Sequence, residues 1–383
     1  ALFDRIETHF FGTCYDPAAT RGLVEPMATE MGLNGKVHER AQRIPYVDAL
    51  NVLVSADVVL ALGSRLGPFG TLPQHGLDYW PKNAKLIQVD INPDRIGLTK
   101  PVTVGICGDA KLVARSLLAQ LAPSAGDAGR EERKALIHST KSRWLQTLSS
   151  MDHEEDDPGT TWNADARKRD PDRMSGRQAW RAIQAGLPKH AIISSDIGNN
   201  CAIGNAYPTF EEGRKYLAPG LFGPCGYGFP VIIGAKIGNP DIPCVGFAGD
   251  GAFGISMSEM SSIGRDEYPG ITMVIFRNYQ WGAEKRNSIL WFDNNFVGTE
   301  LDPHLSYAKV AEGCGLKGVT VKTQAELTEA LRASCEAQKK RVTTFIEVIL
   351  NQELGEPFRR DAMKKPTVVA GIRREDMRPQ QVA

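Results

Sequence analysis

Gly249-Asp250-Gly251-Ala252-Phe253-Gly254 follows the apolar run at residues 244–248 and leads into a segment with a helical pattern. A G-x-G-x-x-G sequence between a buried strand and a helix is typical of a loop whose backbone closely approaches phosphate groups. The sequence therefore predicts a parallel α/β sheet with a ligand site at the carboxyl ends of its strands. A dinucleotide such as NADP is the first ligand to consider.

Asp250 favours a cation in this loop, because a carboxylate repels a bare pyrophosphate unless a positive ion lies between the two. Mg²⁺ prefers oxygen ligands and commonly joins one or two protein oxygens to phosphates. After the next apolar run, Asn278 offers an amide oxygen and Gln280 a backbone carbonyl, so Asp250, Asn278 and Gln280 are the candidate metal ligands. Taken singly, Asp250 and Asn278 are also ordinary turn and cap residues. Arg277 leaves an NADP phosphate site open as an alternative.

Apolar runs and helical patterns alternate along the rest of the chain. They predict an α/β protein with two doubly wound parallel-sheet domains. In the larger domain, residues 176–352, strands are expected at 191–195, 244–248, 272–276, 318–321 and 344–349. Helices are expected there at 230–238, 256–265, 306–314 and 324–339. In the smaller domain, residues 46–122, strands are expected at 57–62, 86–89 and 102–106.

The remaining segments are polar. Residues 123–175 are expected to form a solvated linker around a helix at 135–148, with the charge runs at 153–158 and 167–171 on the surface. Residues 353–383 form a basic tail, and residues 1–45 are not assigned to a domain.

Charge and composition exclude several classes of protein. The 383 residues carry 45 basic and 45 acidic side chains, so no overall field attracts nucleic acid or an anionic membrane. The seven cysteines are scattered without C-x-x-C pairs, which is typical of reduced core thiols rather than a zinc or disulfide framework. With no long apolar segment or signal-peptide pattern, the sequence predicts a soluble cytoplasmic protein.

Gly249-Asp250-Gly251 followed by Asn278 resembles the cofactor-binding signature of the thiamine-diphosphate enzymes. The resemblance implies that Asp250, Asn278 and the Gln280 carbonyl ligate magnesium and that the backbone of Gly249, Gly251 and Ala252 holds the diphosphate. The family usually has Asn-Asn where this chain has Arg277-Asn278.

Two further segments are similar to loops of the same family. Residues 195–199 resemble its other diphosphate loop, which implies that Asp196, Gly198 and Asn199 bind the cofactor. Residues 223–230 resemble the turn that supports the bent cofactor, which adds Gly223 and Cys225. Where many members place a bulky Met or Leu between the two cofactor rings, this chain has Cys225.

The smaller domain resembles the central domain of the acetolactate-synthase-like branch, where it is mostly scaffold. Segments at 67–74, 78–81, 280–287 and 353–366 are similar to the sulfoacetaldehyde acetyltransferases. This resemblance implies conversion of sulfoacetaldehyde and phosphate to acetyl phosphate and sulfite. Such anionic substrates need fixed cations, and the candidates are Lys285, Arg286, Arg359 and Arg360.

The family's activating glutamate lies on a separate pyrimidine-binding domain, which is expected to precede Ala1. On this view the 383-residue chain carries the diphosphate half of a site completed in a homo-oligomer or by a partner, and is inactive alone. Other thiamine-diphosphate activities, such as acetolactate synthesis or 2-oxo acid decarboxylation, remain alternatives. An NADP-binding or noncatalytic binding module is the alternative outside the family.

Overall fold

A computed structural model describes residues 56–66, 80–120, 129–152, 161–208, 215–219, 222–265, 267–292 and 294–354, together with residues 53 and 210 and four two-residue strands. The described residues form two compact units divided between Leu148 and Ser149. This division falls inside the segment that the sequence predicted to be a linker.

The first unit contains a three-stranded parallel sheet, β1–β4–β5. Its strands are β1 (Val58–Leu62), β4 (Lys85–Asp90) and β5 (Val104–Cys107), which confirms the three predicted strands to within two residues. Between β1 and β4 lies a short antiparallel pair, β2 (Pro73–Gln74) and β3 (Leu77–Asp78). Helix α1 (Ala110–Gln120) follows β5, and α2 (Gly129–Asp152) contains the predicted helix at 135–148.

The second unit is built on a six-stranded sheet in which every neighbouring pair is parallel. Its order is β10–β11–β9–β8–β6–β7. The five predicted strands are confirmed, and the two-residue β7 is an addition. The bounds are β6 (Ile192–Ser195), β7 (Tyr216–Leu217), β8 (Cys244–Gly249), β9 (Thr272–Arg277), β10 (Lys317–Val321) and β11 (Thr344–Ile349).

Nine helices of the described residues belong to this unit. They are α3 (Thr161–Arg169), α4 (Gly176–Gly186), α5 (Asn199–Gly204), α6 (Gly228–Gly238), α7 (Asp250–Ser256), α8 (Met260–Ile263), α9 (Gly282–Trp291), α10 (Tyr307–Gly313) and α11 (Gln324–Ala337). The predicted helix at 256–265 begins earlier, at Asp250, and is broken by a 3₁₀ turn at Met257–Glu259. A last short pair, β12 (Val368–Val369) and β13 (Ile372–Arg373), is antiparallel.

The core explains why these segments form strands. Strands β8, β9 and β11 are buried almost throughout, as expected for central parallel strands covered on both faces. Trp180 of α4 packs against Phe247 and Phe276 on one face of the sheet. On the other face, Phe229 contacts Phe253 and Phe345.

The charge run 167–171 is only partly the solvated surface that the sequence predicts, and Lys168, Arg169 and Pro171 are exposed. These residues lie on α3 and just after it, and Arg167 forms an ion pair of 3.0 Å with Glu353, whose side chain is buried. The backbone N–H of Leu354 also donates to Asn163 on α3. This part of the linker is therefore packed onto the segment that follows β11, and the other charge run, 153–158, lies outside the described residues.

Candidate functional site

The sheet order places a ligand site at the carboxyl ends of β6 and β8. After β6 the chain adds β7 on one side, and then returns to form β8 on the other side. This reversal is the topological switch point of a parallel sheet, where the loops diverge and leave a crevice. The loops after these two strands begin with Asp196 and Asp250, so the structure brings the two predicted cofactor loops together.

Asp250 is buried, with 1% of its surface exposed. Its Oδ2 accepts hydrogen bonds from the Tyr279 backbone N–H at 2.7 Å and from Arg277 at 3.1 Å. Its Oδ1 accepts from the Gly251 N–H at 3.0 Å. Burial raises the pKa of Asp250 to about 6, and the Arg277 guanidinium opposes that rise.

The three predicted metal ligands converge. Asn278 is buried, and its side-chain oxygen lies 3.2 Å from Asp250 Oδ1 and 3.2 Å from the Gln280 carbonyl oxygen. Oxygen ligands at right angles on Mg²⁺ lie about 2.9 Å apart, because each bond is 2.0–2.1 Å long. A carboxylate, an amide and a carbonyl oxygen therefore fit this ion in chemistry and in spacing.

The orientation of the Asn278 amide bears on this fit, because its oxygen and nitrogen can be exchanged without changing the shape of the side chain. With the nitrogen turned inward, the amide would donate to both oxygens, and its oxygen would accept from Asn200 and Gln280. The orientation with the oxygen inward is favourable only when a cation lies among the three oxygens.

Backbone strain marks the same loop. Tyr279, between Asn278 and Gln280, has a φ of 61°, a conformation that costs a non-glycine residue about 1 kcal/mol or more. It is held there because its N–H bonds Asp250 and its carbonyl accepts from Leu301. With Tyr279 in this conformation, the Gln280 carbonyl oxygen lies 3.2 Å from the Asn278 amide. No local pattern in the sequence indicates this strain.

The other diphosphate loop carries an unsatisfied polar group. Asn199 is 5% exposed, and within the described residues neither of its side-chain amide atoms has a hydrogen-bond partner. Gly198 before it has a φ of 116°, which only glycine adopts readily. A buried amide without partners costs free energy unless a ligand satisfies it. Asn199 is thus suited to bind a polar ligand such as a diphosphate.

Glycines shape the floor of the crevice. A Cβ on Gly249 or Gly198 would meet no atom of the described residues within 4 Å, so the backbone there is open. A Cβ on Gly251 would lie 2.8 Å from the Trp281 indole, so packing against Trp281 requires glycine at this position. Ala252 is buried on α7. Gly249 thus provides the exposed backbone that the sequence predicted for this loop.

The carboxylate of Asp196 is engaged within the protein. It accepts hydrogen bonds from the backbone N–H groups of Ile197 at 2.8 Å, Gly226 at 3.1 Å and Gly228 at 2.7 Å. Burial raises its pKa in spite of these bonds. Asp196 therefore joins the loop after β6 to the turn at 223–228.

The turn at 223–228 contains Gly223, which has a φ of 64°, and the half-buried Cys225. Burial raises the pKa of the Cys225 thiol, so it is not an activated nucleophile. The direct contacts of Asp196, Gly223 and Cys225 with a cofactor stay a prediction.

Arg277 does not offer the phosphate site that an NADP-binding module needs. It is 1% exposed and pairs with Asp250, and its Nη2 donates to the carbonyl oxygens of Asp302 and Leu305. Its remaining nitrogen, Nε, faces Glu347 at 3.8 Å. The NADP interpretation of this residue is wrong, because the guanidinium is committed to buried internal partners.

The predicted substrate cations are not grouped by the structure. Lys285 is fully buried, donates to the side chain of Gln280 at 2.9 Å and pairs with Glu300. Burial lowers its pKa. Arg286 is partly exposed on α9, and Arg359 and Arg360 lie outside the described residues. The substrate role of these four residues stays a prediction. The partners seen for Lys285 are Gln280, whose carbonyl is a candidate metal ligand, and Glu300.

Sequence reasoning missed several residues of the site. Asn200 approaches the Asn278 amide at 3.1 Å, and Tyr307 donates from its hydroxyl to the Asp250 backbone carbonyl at 2.7 Å. Tyr307 is 57 residues from Asp250 along the chain, so no local pattern indicates the contact. The Asn199-Asn200 pair was a usable signal, because two consecutive amides directly follow a strand and a glycine.

In the part of the chain that the structure describes, three or more His, Cys, Asp or Glu side chains are nowhere grouped so as to hold a metal. The mixed oxygen set of Asp250, Asn278 and Gln280 is therefore the candidate cation site. Within the same described residues, no helix combines the length and apolar character needed to cross a membrane.

This fold and site are those expected of a protein that binds a diphosphate through a divalent cation at the switch point of a parallel sheet. Residues 196–348 match the model of the thiamine pyrophosphate enzyme C-terminal TPP binding domain. Residues 42–117 match the model of the thiamine pyrophosphate enzyme central domain. The chain belongs to the thiamine pyrophosphate enzymes, which use thiamine diphosphate with Mg²⁺.

Curated relatives refine the comparison. The chain is 76% identical over 332 residues to a probable sulfoacetaldehyde acetyltransferase of Rhizobium meliloti, covering 87% of this chain and 56% of that protein. It is 70% identical to the sulfoacetaldehyde acetyltransferase of Roseovarius nubinhibens, covering 87% of this chain and 55% of that protein. The chain thus spans about half the length of these relatives.

A solved structure agrees on the fold. The thiamine diphosphate-dependent 4-hydroxybenzoylformate decarboxylase of Rhodococcus jostii RHA1 superposes with a TM-score of 0.59 at 20% identity, covering 81% of this chain and 51% of that one.

Proposed function

We propose that the protein carrying this chain is a sulfoacetaldehyde acetyltransferase that converts sulfoacetaldehyde and phosphate to acetyl phosphate and sulfite. The identities of 76% and 70% to relatives of that name support the substrate class. The structural observation that carries the cofactor chemistry is that Asp250 Oδ1 and the Gln280 carbonyl oxygen each lie 3.2 Å from the Asn278 amide at the sheet's switch point. That geometry supports a magnesium-bound diphosphate in this crevice.

Each residue has a definite task in this proposal. Asp250, Asn278 and the Gln280 carbonyl hold Mg²⁺, which neutralises the diphosphate. Asn199 donates its buried amide to a phosphate oxygen, and the open backbone of Gly249 lets the diphosphate approach closely. When bound, thiamine diphosphate supplies the electron sink for carbon–carbon or carbon–sulfur bond cleavage.

The turn at 223–228 shapes the wall of the crevice. Asp196 accepts hydrogen bonds from the backbone of Gly226 and Gly228 in this turn. The carboxylate therefore links the turn to the loop after β6. Within the same proposal, Arg286, Arg359 and Arg360 are candidates to orient the anionic substrates, the protein acts as a homo-oligomer, and it is located in the cytoplasm. The family's activating glutamate would come from a segment outside this chain.

The test uses the full-length protein that contains this sequence. Purified enzyme receives sulfoacetaldehyde, phosphate, thiamine diphosphate and Mg²⁺, and the release of sulfite and acetyl phosphate is measured. Both products should form in equal amounts and require all four components. Asp250→Asn should abolish the reaction, whereas Asp241→Asn, a matched change at an exposed aspartate, should preserve it.

The alternative activities give different products in the same assay. Formation of acetolactate from pyruvate, without sulfite release from sulfoacetaldehyde, would contradict the proposed substrate and support a synthase. Decarboxylation of 2-oxo acids alone would support a decarboxylase. Activity without added thiamine diphosphate in cofactor-stripped enzyme would contradict the cofactor assignment.

A further inference from the structure

Arg277 is a buried cation beside the candidate metal site, in a position that the family's Asn-Asn pattern fills with an amide. It ends β9 and directly precedes the ligand Asn278. Its Nη1 donates to Asp250 Oδ2 at 3.1 Å, and its Nη2 donates to the Leu305 carbonyl at 3.0 Å and to the Asp302 carbonyl. The guanidinium therefore ties Asp250 to the backbone of the loop before α10.

The two oxygens of the Asp250 carboxylate have different surroundings. Oδ2 is bound by Arg277 and by the Tyr279 N–H. Oδ1 accepts from the Gly251 N–H and lies 3.2 Å from the Asn278 amide, which in turn lies 3.2 Å from the Gln280 carbonyl oxygen. Rotation of the carboxylate would exchange the two oxygens, so the bonds to Oδ2 decide which oxygen faces the other ligands.

The charge of Arg277 is compensated by Glu347 of β11, which is also buried. The Arg277 Nε lies 3.8 Å from Glu347 Oε1. Glu347 is itself held by the Ser306 hydroxyl at 2.6 Å and the Tyr307 N–H at 3.1 Å. Because Arg277 and Glu347 together are neutral, the negative charge of Asp250 remains available to a divalent cation.

From this arrangement we propose that Arg277 is a positioning residue for the metal ligand Asp250. The guanidinium holds Oδ2 with one nitrogen and the 302–305 backbone with the other, and thereby keeps Oδ1 directed at the cation. The inference rests on the proposed function, since it assigns Mg²⁺ to this site. It assigns no contact between Arg277 and the cofactor or substrate.

Charge and geometry predict opposite effects of removing the guanidinium. If Arg277 acted on Mg²⁺ only through its positive charge, Arg277→Met would strengthen magnesium binding, because a repelling charge is lost. If Arg277 positions Asp250, the same change weakens it, as partners of metal ligands commonly contribute 10–100-fold in affinity. Loss of the guanidinium also raises the pKa of Asp250, because its charge opposes the effect of burial. The titrations are therefore made at about pH 8.5, where the carboxylate is ionised in each variant. At that pH the direction of the change distinguishes the two.

The experiment measures binding rather than turnover. Full-length wild-type protein and variants are stripped of cofactor, and calorimetry follows thiamine diphosphate binding as MgCl₂ is titrated. Arg277→Met should raise the Mg²⁺ concentration at half-saturation at least about tenfold. Arg277→Lys, which keeps the charge but not the fork of donors, should show an intermediate rise of about threefold or more.

Gln338→Met is the control for a merely structural effect. It removes buried hydrogen bonds to Cys244 and Thr272, which lie at the starts of β8 and β9, at the opposite ends of these strands from Asp250 and Asn278. It should lower the melting temperature while the Mg²⁺ half-saturation stays within about twofold of wild type. If Arg277→Met does not fold, Arg277→Lys carries the test alone.

A folded Arg277 variant whose Mg²⁺ concentration at half-saturation is unchanged or lower would overturn the inference. The proposed cofactor site would still stand in that case, provided that the wild-type protein binds thiamine diphosphate with Mg²⁺. A wild-type protein that binds no thiamine diphosphate with Mg²⁺ would overturn both. An equal rise in Gln338→Met would also overturn it, because the effect would then follow stability rather than carboxylate orientation.

Discussion

Two buried aspartates follow neighbouring strands of the second unit, and they have different partners. Asp196, after β6, binds three backbone N–H groups, two of them in the turn at 223–228. Asp250, after β8, shares its carboxylate with Arg277 and with the backbone of Tyr279 and Gly251. Both carboxylates accept internal hydrogen bonds at each oxygen, but Asp250 Oδ1 also lies 3.2 Å from the Asn278 amide, next to the Gln280 carbonyl.

The comparison shows that residue type and strand position do not decide the role of a carboxylate in such a crevice. Burial raises the pKa of both groups. The neighbouring atoms differ. Asp196 is bound by N–H donors, which satisfy its charge within the fold. Asp250 also has acceptor groups beside it, which favour a cation at that position. Identical substitutions at the two positions should therefore have different consequences.

The largest effect is expected from Asp250→Asn. The amide keeps the size of the side chain but loses the charge that the cation needs, so Mg²⁺-dependent binding of thiamine diphosphate should weaken at least about a hundredfold. Calorimetric titration of the cofactor-stripped full-length protein measures this. Asp241→Asn should bind as wild type, and retention of wild-type affinity by Asp250→Asn would remove this residue from the metal site.

Asp196→Asn should act on stability instead. An amide offers one oxygen, so its NH₂ group would face at least one of the three N–H donors, at a cost of about 2 kcal/mol in the free energy of unfolding. Denaturant unfolding of the cofactor-free protein gives this value. A stable Asp196→Asn protein that binds thiamine diphosphate much less well would instead show that the carboxylate contacts the cofactor.

Two glycine substitutions sharpen the comparison at the backbone. A Cβ on Gly249 meets no described atom within 4 Å, and its φ of −71° suits alanine, so Gly249→Ala should leave stability unchanged while weakening cofactor binding about tenfold. On Gly228 a Cβ would lie 2.8 Å from the Phe247 carbonyl oxygen, and Gly228→Ala should destabilise the protein before any ligand is added.

Melting temperatures with and without thiamine diphosphate and Mg²⁺ separate these two effects. Loss of stability in Gly249→Ala without ligand would show that the backbone there is not open. Undiminished cofactor stabilisation in that variant would show that the diphosphate lies elsewhere.

The smallest effect is expected from pH. With the pKa of Asp250 raised to about 6 by burial, only about a quarter of the carboxylate is ionised at pH 5.5. Because the ligand must be ionised, the Mg²⁺ half-saturation should rise about fourfold between pH 7 and pH 5.5. Calorimetry at the two pH values tests this, and an unchanged value would show that Asp250 stays ionised throughout.

The same shift has a defined sign for stability without metal. The folded pKa of Asp250 lies above its ordinary value of 3.8, so its contribution to stability is fully present below about pH 4 and lost as the pH rises through about 6. Asp250→Asn should remove that part of the pH dependence. The raised pKa of Asp196 acts in the same direction.

Much of the fold was predictable from the sequence. Central parallel strands are buried on both faces and therefore appear as continuous apolar runs, as at β8, β9 and β11. Helix α4 was missed, although it carries a capping box at Ser175 and Gln178 and buries Trp180. Its polar residues continue the polar composition of the preceding segment, and only packing against Phe247 and Phe276 shows the buried face.

The sequence by itself determined the spacing of Asp250, Asn278 and Gln280, because each follows the end of an apolar run that has to be a buried strand. Only the tertiary structure decided the burial and pairing of Arg277, the strained φ of Tyr279 and the unsatisfied amide of Asn199. These features depend on neighbours that are distant along the chain, such as Glu347, 70 positions after Arg277. Local pattern fixes where a strand ends, whereas the partners of a side chain there are set by the elements that fold against it.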